Sequence, residues 1–427
     1  MERFTGLIGV AVLIAIAVAL SKSRRNIPLR VVAGGILLQM LLAWLFLSFP
    51  PVVKIFDAFA AGVNRVISFA DEGTRFIFGS LSDAGGPWGF VFAIKVLPVI
   101  IFFASLMGVL YHMGVMQRLI AAVAWVLRRS LGVSGTESLS AAANIFVGQT
   151  EAPLVVRPYI AGMTRSQLMA VMTGGFATIA GSVLAAYVGI LGGDDDASRI
   201  QFAKHLMTAS VMSAPAGLMY AKILFPETET LPSETVAALS GDRETRNVLD
   251  AAARGATDGM HLAMNVAAML VAFVALLAMI NYPLTLLSDW TPIANWRAAN
   301  DLPVLSLQVI LGWILKPIAW TMGVSWADAG FFGSLLGQGM ILTEFVAYLS
   351  LGDAIKGGAI SPRTAQIATY TLCGFANFPS IAIQIGGLSA LAPSRRADFA
   401  SIGLRAMFAG ALACWTTGAV ASLFIPV

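Results

Sequence analysis

Phe4 to Leu20 runs for 17 residues without a charge. Comparable apolar runs recur along the whole chain, and they are near-continuous rather than alternating. Such runs must leave water, and in a bilayer only helices and closed barrels satisfy every backbone N–H and C=O group. Barrel strands read as ~10-residue alternating segments, which these runs are not. Only 12% of the residues are charged while 58% are apolar, and the mean hydropathy is +0.80. A soluble domain carries about 25% charged residues. These figures exclude a soluble enzyme, a disordered chain and a disulfide-stapled scaffold. The expected fold is an all-α polytopic membrane protein.

Lys22, Arg24 and Arg25 follow the first apolar run, whereas a cleaved signal peptide carries its charge in front. The first run therefore reads as a true span with its N-terminus outside. Val31 to Leu47 returns outward. Val53 to Ser82 spaces Lys54, Asp57, Arg65, Asp71, Glu72 and Arg75 among apolar residues, which predicts an amphipathic helix at the membrane surface. Val91 to Leu110, Phe202 to Phe225, Leu262 to Leu287 and Phe399 to Ile425 read as spans. Leu119 to Val126 stays apolar up to Arg128 and Arg129, and Leu305 to Met322 is apolar with an amphipathic edge. Asp194-Asp195-Asp196 reads as a solvated outer loop. Pro226 to Arg254 reads as a hydrophilic connector carrying a surface helix. Cys373 and Cys414 lie inside apolar runs and read as small buried hydrophobes. The net charge of +4 is too small and scattered to suggest nucleic acid.

Two segments break the pattern. Leu131 to Tyr159 is rich in Ser, Gly, Ala, Asn and Thr and holds Glu151. Basic residues flank it on both sides (Arg128, Arg129, then Arg157, Arg165), so it enters and leaves by the same face, as a re-entrant hairpin does. Gly323 to Leu351 is similarly Gly-rich and holds Glu344. Each segment carries a Thr-Glu pair, and each precedes a long apolar helix interrupted by polar residues: Thr178 and Ser182 in one case, Asn377 and Ser380 in the other. Paired interrupted segments point to the midplane site of a secondary transporter.

A carboxylate at membrane depth costs ~2.5–3.5 kcal/mol or more, so Glu151 and Glu344 need partners or a wet cavity. Asn144, Gln149 and Thr150 add groups that both donate and accept, which suits a neutral polyhydroxylated or heterocyclic solute. Asn144, Thr178 and the Ile179 carbonyl are hard oxygen ligands that suit sodium, although a lone Thr in an apolar helix commonly bonds back to the preceding turn. A phosphate-binding GxxxxGK[ST] loop and a zinc-binding H-E-x-x-H are both missing from the sequence, which disfavours an ATP-driven pump and a zinc protease. A channel is separated from a carrier by gradient-coupled accumulation.

Four motifs carry a family resemblance. Asn144-Ile145-Phe146-Val147-Gly148-Gln149-Thr150-Glu151-Ala152-Pro153-Leu154 resembles the signature of the concentrative nucleoside transporters. Ala177-Thr178-Ile179-Ala180-Gly181-Ser182-Val183 resembles the break in their fourth helix. Glu344-Phe345-Val346-Ala347-Tyr348 resembles their second hairpin. Cys373-Gly374-Phe375-Ala376-Asn377-Phe378, followed by Ser380 to Gly387, resembles their seventh helix. The resemblance implies eight transmembrane helices and two re-entrant hairpins arranged as inverted repeats, in a homotrimer of the bacterial inner membrane. It divides the chain into an N-terminal, partly scaffold region (1–130), the first hairpin with the broken fourth helix (131–225), a connector with scaffold helices (226–322), and the second hairpin with the broken seventh helix (323–427).

It also implies roles. Gln149, Thr150 and Val183 would meet a nucleoside base, Glu151 would reach it partly through water, and Phe375 would pack against it. Glu344, Asn377 and Ser380 would hold the ribose. Asn144, Thr178 and the carbonyls of Val147 and Ile179 would hold sodium, the expected coupling ion. A proton on Glu151 or Glu344, and a nucleobase or modified nucleoside as cargo, are the alternatives. Three residues depart from the family pattern: Thr343 replaces an asparagine, Gly339 a lysine and Pro379 a serine. All three fall in the half that should hold the sugar.

Overall fold

The computed structural model describes residues 2–82, 91–193, 195–230, 245–300 and 302–426, with side chains from residue 4 onward. Among these residues the chain is helical and has no strand. In chain order the helices are α1 (Glu2–Ala19), α2 (Leu29–Leu47), α3 (Pro50–Phe78), the single turn α4 (Phe92–Lys95), α5 (Leu97–His112), α6 (Val115–Leu131) and α7 (Gly135–Asn144). There follow the single turn α8 (Arg157–Ile160), α9 (Arg165–Ala177), α10 (Gly181–Gly192), α11 (Asp196–Leu224), α12 (Val248–Asp289) and α13 (Thr291–Ala299). The last third holds α14 (Leu307–Thr321), α15 (Ala329–Ile341), α16 (Glu344–Lys356), α17 (Pro362–Thr371), α18 (Phe378–Leu391) and α19 (Arg396–Ser422).

Five helical segments among the described residues are long and apolar enough to cross a bilayer: Leu29–Leu47, Phe92–His112, Arg165–Gly192, Val248–Asp289 and Pro393–Ser422. Their burial divides them. The segment α9–α10 is 94% buried and that of α19 is 72% buried, against 22% for α2, α5 and α12. The protein is therefore an inner body, apolar on all sides, held by an outer frame whose free faces suit lipid or a partner.

The frame helices meet through small residues. Gly108 of α5 faces Ala251, and Gly255 and Gly259 of α12 face Ala104 and Ile101. A Cβ at any of the three would stand 2.6–2.8 Å from the neighbouring helix. This close approach is the small-residue packing of helices in lipid, where no hydrophobic effect drives association.

The amphipathic expectation for Val53 to Ser82 is met by α3. Its inward face (Ala60, Asn64, Ile67, Thr74) is buried, while Ile55, Phe59, Phe69 and Phe76 are exposed. Three polar contacts fasten it to α11: Asp57 to Lys204 at 2.6 Å, Asp71 to Arg199 at 3.6 Å, and Asn64 Nδ2 to Asp196 Oδ1 at 3.1 Å. Asp195 caps α11 by accepting from the Ser198 N–H at 2.8 Å. The acidic run thus has structural duties where it is described; Asp194 lies outside the described residues.

One expectation is corrected. The surface helix assigned to Pro226–Arg254 does not end before the span. Residues 231–244 lie outside the described residues, but from Val248 the chain is one helix of 42 residues that includes Leu262 to Leu287. Asn247 caps it at 2.9 Å, and the first turns hold against α5 through Ser105 Oγ to the Ala252 carbonyl, 2.8 Å. The charged start of α12 is solvated while its continuation is apolar, so composition suggested two elements where the backbone has one. Both cysteines are buried and unpaired, as expected.

The two odd segments are helical hairpins that enter from opposite ends. Capping boxes start α7 (Ser134 with Glu137) and α9 (Thr164 with Gln167). At that base Lys222 of α11 pairs with Glu137 at 2.5 Å and donates to Ser166 Oγ at 2.9 Å. The C-terminal end of α1 is at the same level, where the Lys22 N–H reaches the Leu224 carbonyl at 3.0 Å. The base of α15–α16 lies at the other end. There Asp328 accepts from Ser361 Oγ (2.8 Å) and Thr364 Oγ1 (2.7 Å), and Arg363 ties α17 to the Ser422 carbonyl at 2.8 Å. Each hairpin is followed by a broken helix (α9/α10, α17/α18) and then a long one (α11, α19), so the order of parts repeats.

Candidate functional site

The tips of both hairpins and both helix breaks converge inside the body. After Asn144 the chain leaves the α7 ladder. The tip is anchored by two foreign donors: Ser210 Oγ to the Ile145 carbonyl (3.1 Å) and the Gly181 N–H to the Phe146 carbonyl (3.1 Å). Irregular backbone at this depth is tolerated because the break in the neighbouring helix satisfies it.

Gln149 points inward from the tip and is buried. Its Nε2 donates to Ser380 Oγ at 3.2 Å, and its Oε1 accepts from Gln384 Nε2 at 3.0 Å. Gly175 leaves the room for this pair: a Cβ there would stand 2.6 Å from Gln384 Nε2. On the other side Asn377 caps α18, its Oδ1 accepting from the Ser380 N–H at 2.8 Å. Its Nδ2 donates to Glu344 Oε2 at 2.7 Å, and the Tyr187 hydroxyl donates to Glu344 Oε1, also at 2.7 Å. Glu344 is 4% exposed and makes no ion pair among the described residues. Its two oxygens each keep a lone pair for a further donor. The result is one polar chain, Gln384–Gln149–Ser380–Asn377–Glu344–Tyr187, across four separate segments. Val183 is buried on the first turn of α10, and Phe375 is half-buried in the α17/α18 break.

The structure does not place every expected residue in this chain. Thr150 and Glu151 are exposed at the hairpin tip, and the Thr150 methyl lies beside Gly387 of α18. The Glu151 carboxylate folds over Gly148, where a Cβ would collide with it, and it has no arginine partner among the described residues. Tyr111 of α5 and Asp258 of α12 lie within its electrostatic reach.

Of the expected ion ligands, Asn144 and Thr178 both lie against Gly174. Asn144 is 1% exposed; its Nδ2 donates to the Ser140 carbonyl at 3.0 Å, and nothing donates to its Oδ1. Its amide sits 3.2 Å from where a Cβ on Gly174 would be, against α9. Thr178 Oγ1 donates to the Gly174 carbonyl at 3.0 Å, the back-bond usual for Thr, and its lone pairs remain free to accept. The Glu151 N–H bonds to the Gly148 carbonyl and the Val183 N–H to that of Ala180, both at 3.1 Å, so the carbonyls of Val147 and Ile179 are left outside the ladders. A buried amide oxygen without a donor and carbonyls outside the ladders are the kind of oxygen ligands that fit a hard cation.

The three departures are absorbed by the backbone. Thr343 caps α16 through the Val346 N–H at 3.5 Å, a role an asparagine would also fill. Pro379 lies in the first turn of α18, where no intrahelical partner for its missing N–H is needed. Gly339 has room for a side chain: a built Cβ would make ordinary contact, 3.4 Å from Leu372 Cδ2.

Three family models match the chain. They are described as the Na+ dependent nucleoside transporter C-terminus (residues 205–422), the Na+ dependent nucleoside transporter N-terminus (8–81) and nucleoside recognition (93–194). Nucleoside permease NupC of Helicobacter pylori is 40% identical, with 98% of this chain and 97% of that protein aligned. The chain belongs to the Na+-dependent nucleoside transporters. An uncharacterized transporter of Haemophilus influenzae is 45% identical over 100% of this chain and 98% of its own. The solved structure of CNTnw in an inward-facing substrate-bound state superposes with a TM-score of 0.90 at 45% identity, covering 99% of this chain and 98% of that one. A doubly substituted CNTnw in an outward-facing state superposes equally well, at 0.90 with the same identity and coverage. The likeness is thus to the family's fold rather than to one of its states. The family is one of membrane transporters, not enzymes.

Tyr187 and Gln384 were not singled out in the sequence. Each had a signal: a lone phenol on an otherwise largely apolar buried helix, and a lone amide one turn after Ser380. A buried Tyr hydroxyl or Gln amide must find a partner.

Proposed function

We propose that this protein is a sodium-coupled symporter that carries nucleosides into a bacterial cell across the inner membrane by alternating access. The observation that carries the reading is Glu344. It is a buried carboxylate with no cationic partner among the described residues, oriented by Tyr187 and Asn377, in the polar chain that also holds the amide of Gln149. A carboxylate with spare acceptor capacity suits sugar hydroxyls, and an amide that both donates and accepts suits a base edge. In this reading Gln149, Thr150, Glu151, Val183 and Phe375 attend the base, while Glu344, Asn377 and Ser380 hold the ribose.

Sodium binds to Asn144, Thr178 and the carbonyls of Val147 and Ile179. It bridges the end of α7 to the α9/α10 break and so orders the tip that presents Gln149. Sodium and nucleoside then raise each other's affinity by the same factor. The chain crosses the membrane eight times, as α1, α2, α5, α9/α10, α11, α12, α17/α18 and α19. The body of hairpins and broken helices moves within the frame, and the exposed apolar faces of the frame meet lipid and two further copies in a homotrimer.

The test is uptake of labelled uridine into proteoliposomes, with sodium and pH gradients imposed separately. Accumulation driven by sodium alone supports the reading. Accumulation driven by pH alone transfers the coupling to a proton on Glu151 or Glu344. Competition by uracil but not uridine makes the cargo a nucleobase.

A further inference from the structure

Helices α15, α17 and α19 leave a cleft beside Glu344. Gly339 and Met340 line it from α15, Leu372, Gly374 and Ala376 from the helix break, and Cys414 from α19. Its cavity volume is about 20 Å³, which is room for one water-sized or methyl-sized group. Glu344 borders both this cleft and the polar chain described above.

The two glycines in the wall differ. A Cβ on Gly374 would collide with Cys414 Sγ and stand 2.7 Å from the Phe176 carbonyl oxygen, so tight packing closes that wall. A Cβ on Gly339 would stand 3.4 Å from Leu372 Cδ2 and 4.0 Å from Ala347 Cβ, which is ordinary contact. Helix packing therefore does not demand a glycine at 339. The missing side chain leaves the cleft open, next to the carboxylate with spare lone pairs. The lining is mostly apolar, and a carboxylate stands at its edge. A second anion such as a phosphate would be repelled and poorly solvated there, whereas a small apolar group would be accepted.

We propose that this cleft is a subsite for a small apolar substituent on the sugar of the substrate, so that the transporter accepts O-methylated ribonucleosides, and that Gly339 sets this tolerance. The proposal rests on the reading that Glu344 holds the sugar hydroxyls. A hydroxyl next to one bonded by Glu344 carries its methyl group into the cleft.

The experiment is competition against labelled uridine uptake by the full chain in proteoliposomes. The competitors are uridine, 2′-O-methyluridine and 3′-O-methyluridine. The proteins are the wild type, Gly339→Leu, which fills the cleft, and Gly339→Ala, whose single methyl fits without displacing a neighbour. In the wild type at least one O-methyl compound should compete about as well as uridine. Gly339→Leu should weaken that competitor by about tenfold or more, the worth of a misplaced methyl group in an apolar pocket, and leave uridine unchanged. Gly339→Ala should fall between, and it carries the test if the leucine variant does not fold. Rejection of both O-methyl compounds by a wild type that takes up uridine overturns the subsite alone, as does an equal loss of uridine and O-methyluridine in the variants. A wild type that takes up no nucleoside removes the functional reading and this subsite with it.

Discussion

Glu344→Gln isolates the charge of the carboxylate while keeping its shape. In the native structure both oxygens accept, one from Tyr187 and one from Asn377, at 2.7 Å each. A glutamine offers one oxygen and one NH2. Asn377 cannot turn to help, because its Oδ1 holds the cap of α18 through the Ser380 N–H. The glutamine oxygen must therefore face Asn377, and the Tyr187 hydroxyl must swing to accept from the new amide. The site survives with neutral hydrogen bonds. A hydrogen bond to a charged group nets ~1.5–3 kcal/mol and a neutral one ~0.5–1.5, so each sugar hydroxyl loses about 1 kcal/mol. Two hydroxyls lose about 2 kcal/mol, or roughly thirtyfold in Kd. The assay is equilibrium binding of uridine and of 2′,3′-dideoxyuridine to wild type and variant in the same sodium concentration. Uridine should weaken by that factor, dideoxyuridine should hardly change, and the coupling between the two substitutions should be about 2 kcal/mol. Equal weakening of both ligands would mean that the carboxylate never touches the sugar, and the assignment would be wrong.

Three further outcomes follow from the geometry. Tyr187→Phe keeps the ring stacked on Tyr348, with centroids 4.1 Å apart, but leaves Glu344 Oε1 without its donor; a thermal-shift assay should show lower stability by ~1–3 kcal/mol, partly recovered by saturating uridine. Lys222→Met strands the buried Glu137 carboxylate at the base of the first hairpin, a loss of ~3–5 kcal/mol, whereas Lys222→Met with Glu137→Gln should recover much of it; a double variant no more stable than the single would show that the pair is not what holds the base. Thr178→Val and Asn144→Leu should abolish the increase in uridine affinity on adding sodium while Thr178→Ser keeps it, measured as binding with and without the ion; an unchanged sodium effect in both apolar variants would place the ion elsewhere.

The membrane fold was legible because lipid leaves few choices: long apolar runs, basic flanks and two polar interruptions already specify spans, hairpins and breaks. The hairpin segments were legible from basic flanks and glycine-rich composition, whereas Ser134, Thr164 and Ser361, the caps of α7, α9 and α17, were not read from the sequence. The join of the connector to α12 was missed because a solvated charged turn and an apolar span can share one helix, and composition cannot mark a break that the backbone does not make. At the site, Glu344, Asn377, Ser380 and Gln149 were visible as polar residues in apolar surroundings. Tyr187 was hidden because a tyrosine also reads as core. The exposure of Thr150 and Glu151 was not visible, since neighbours on an irregular tip have no periodicity that fixes which of them is buried.

The most direct measurement is a cryo-EM or crystal structure of the wild type soaked with uridine and sodium. Density for the ribose against Glu344 and Asn377, with the base reaching Gln149, is the expected result. Uridine bound clear of all three residues, in a protein that nonetheless transports it, would contradict the assignment of these side chains to the cargo.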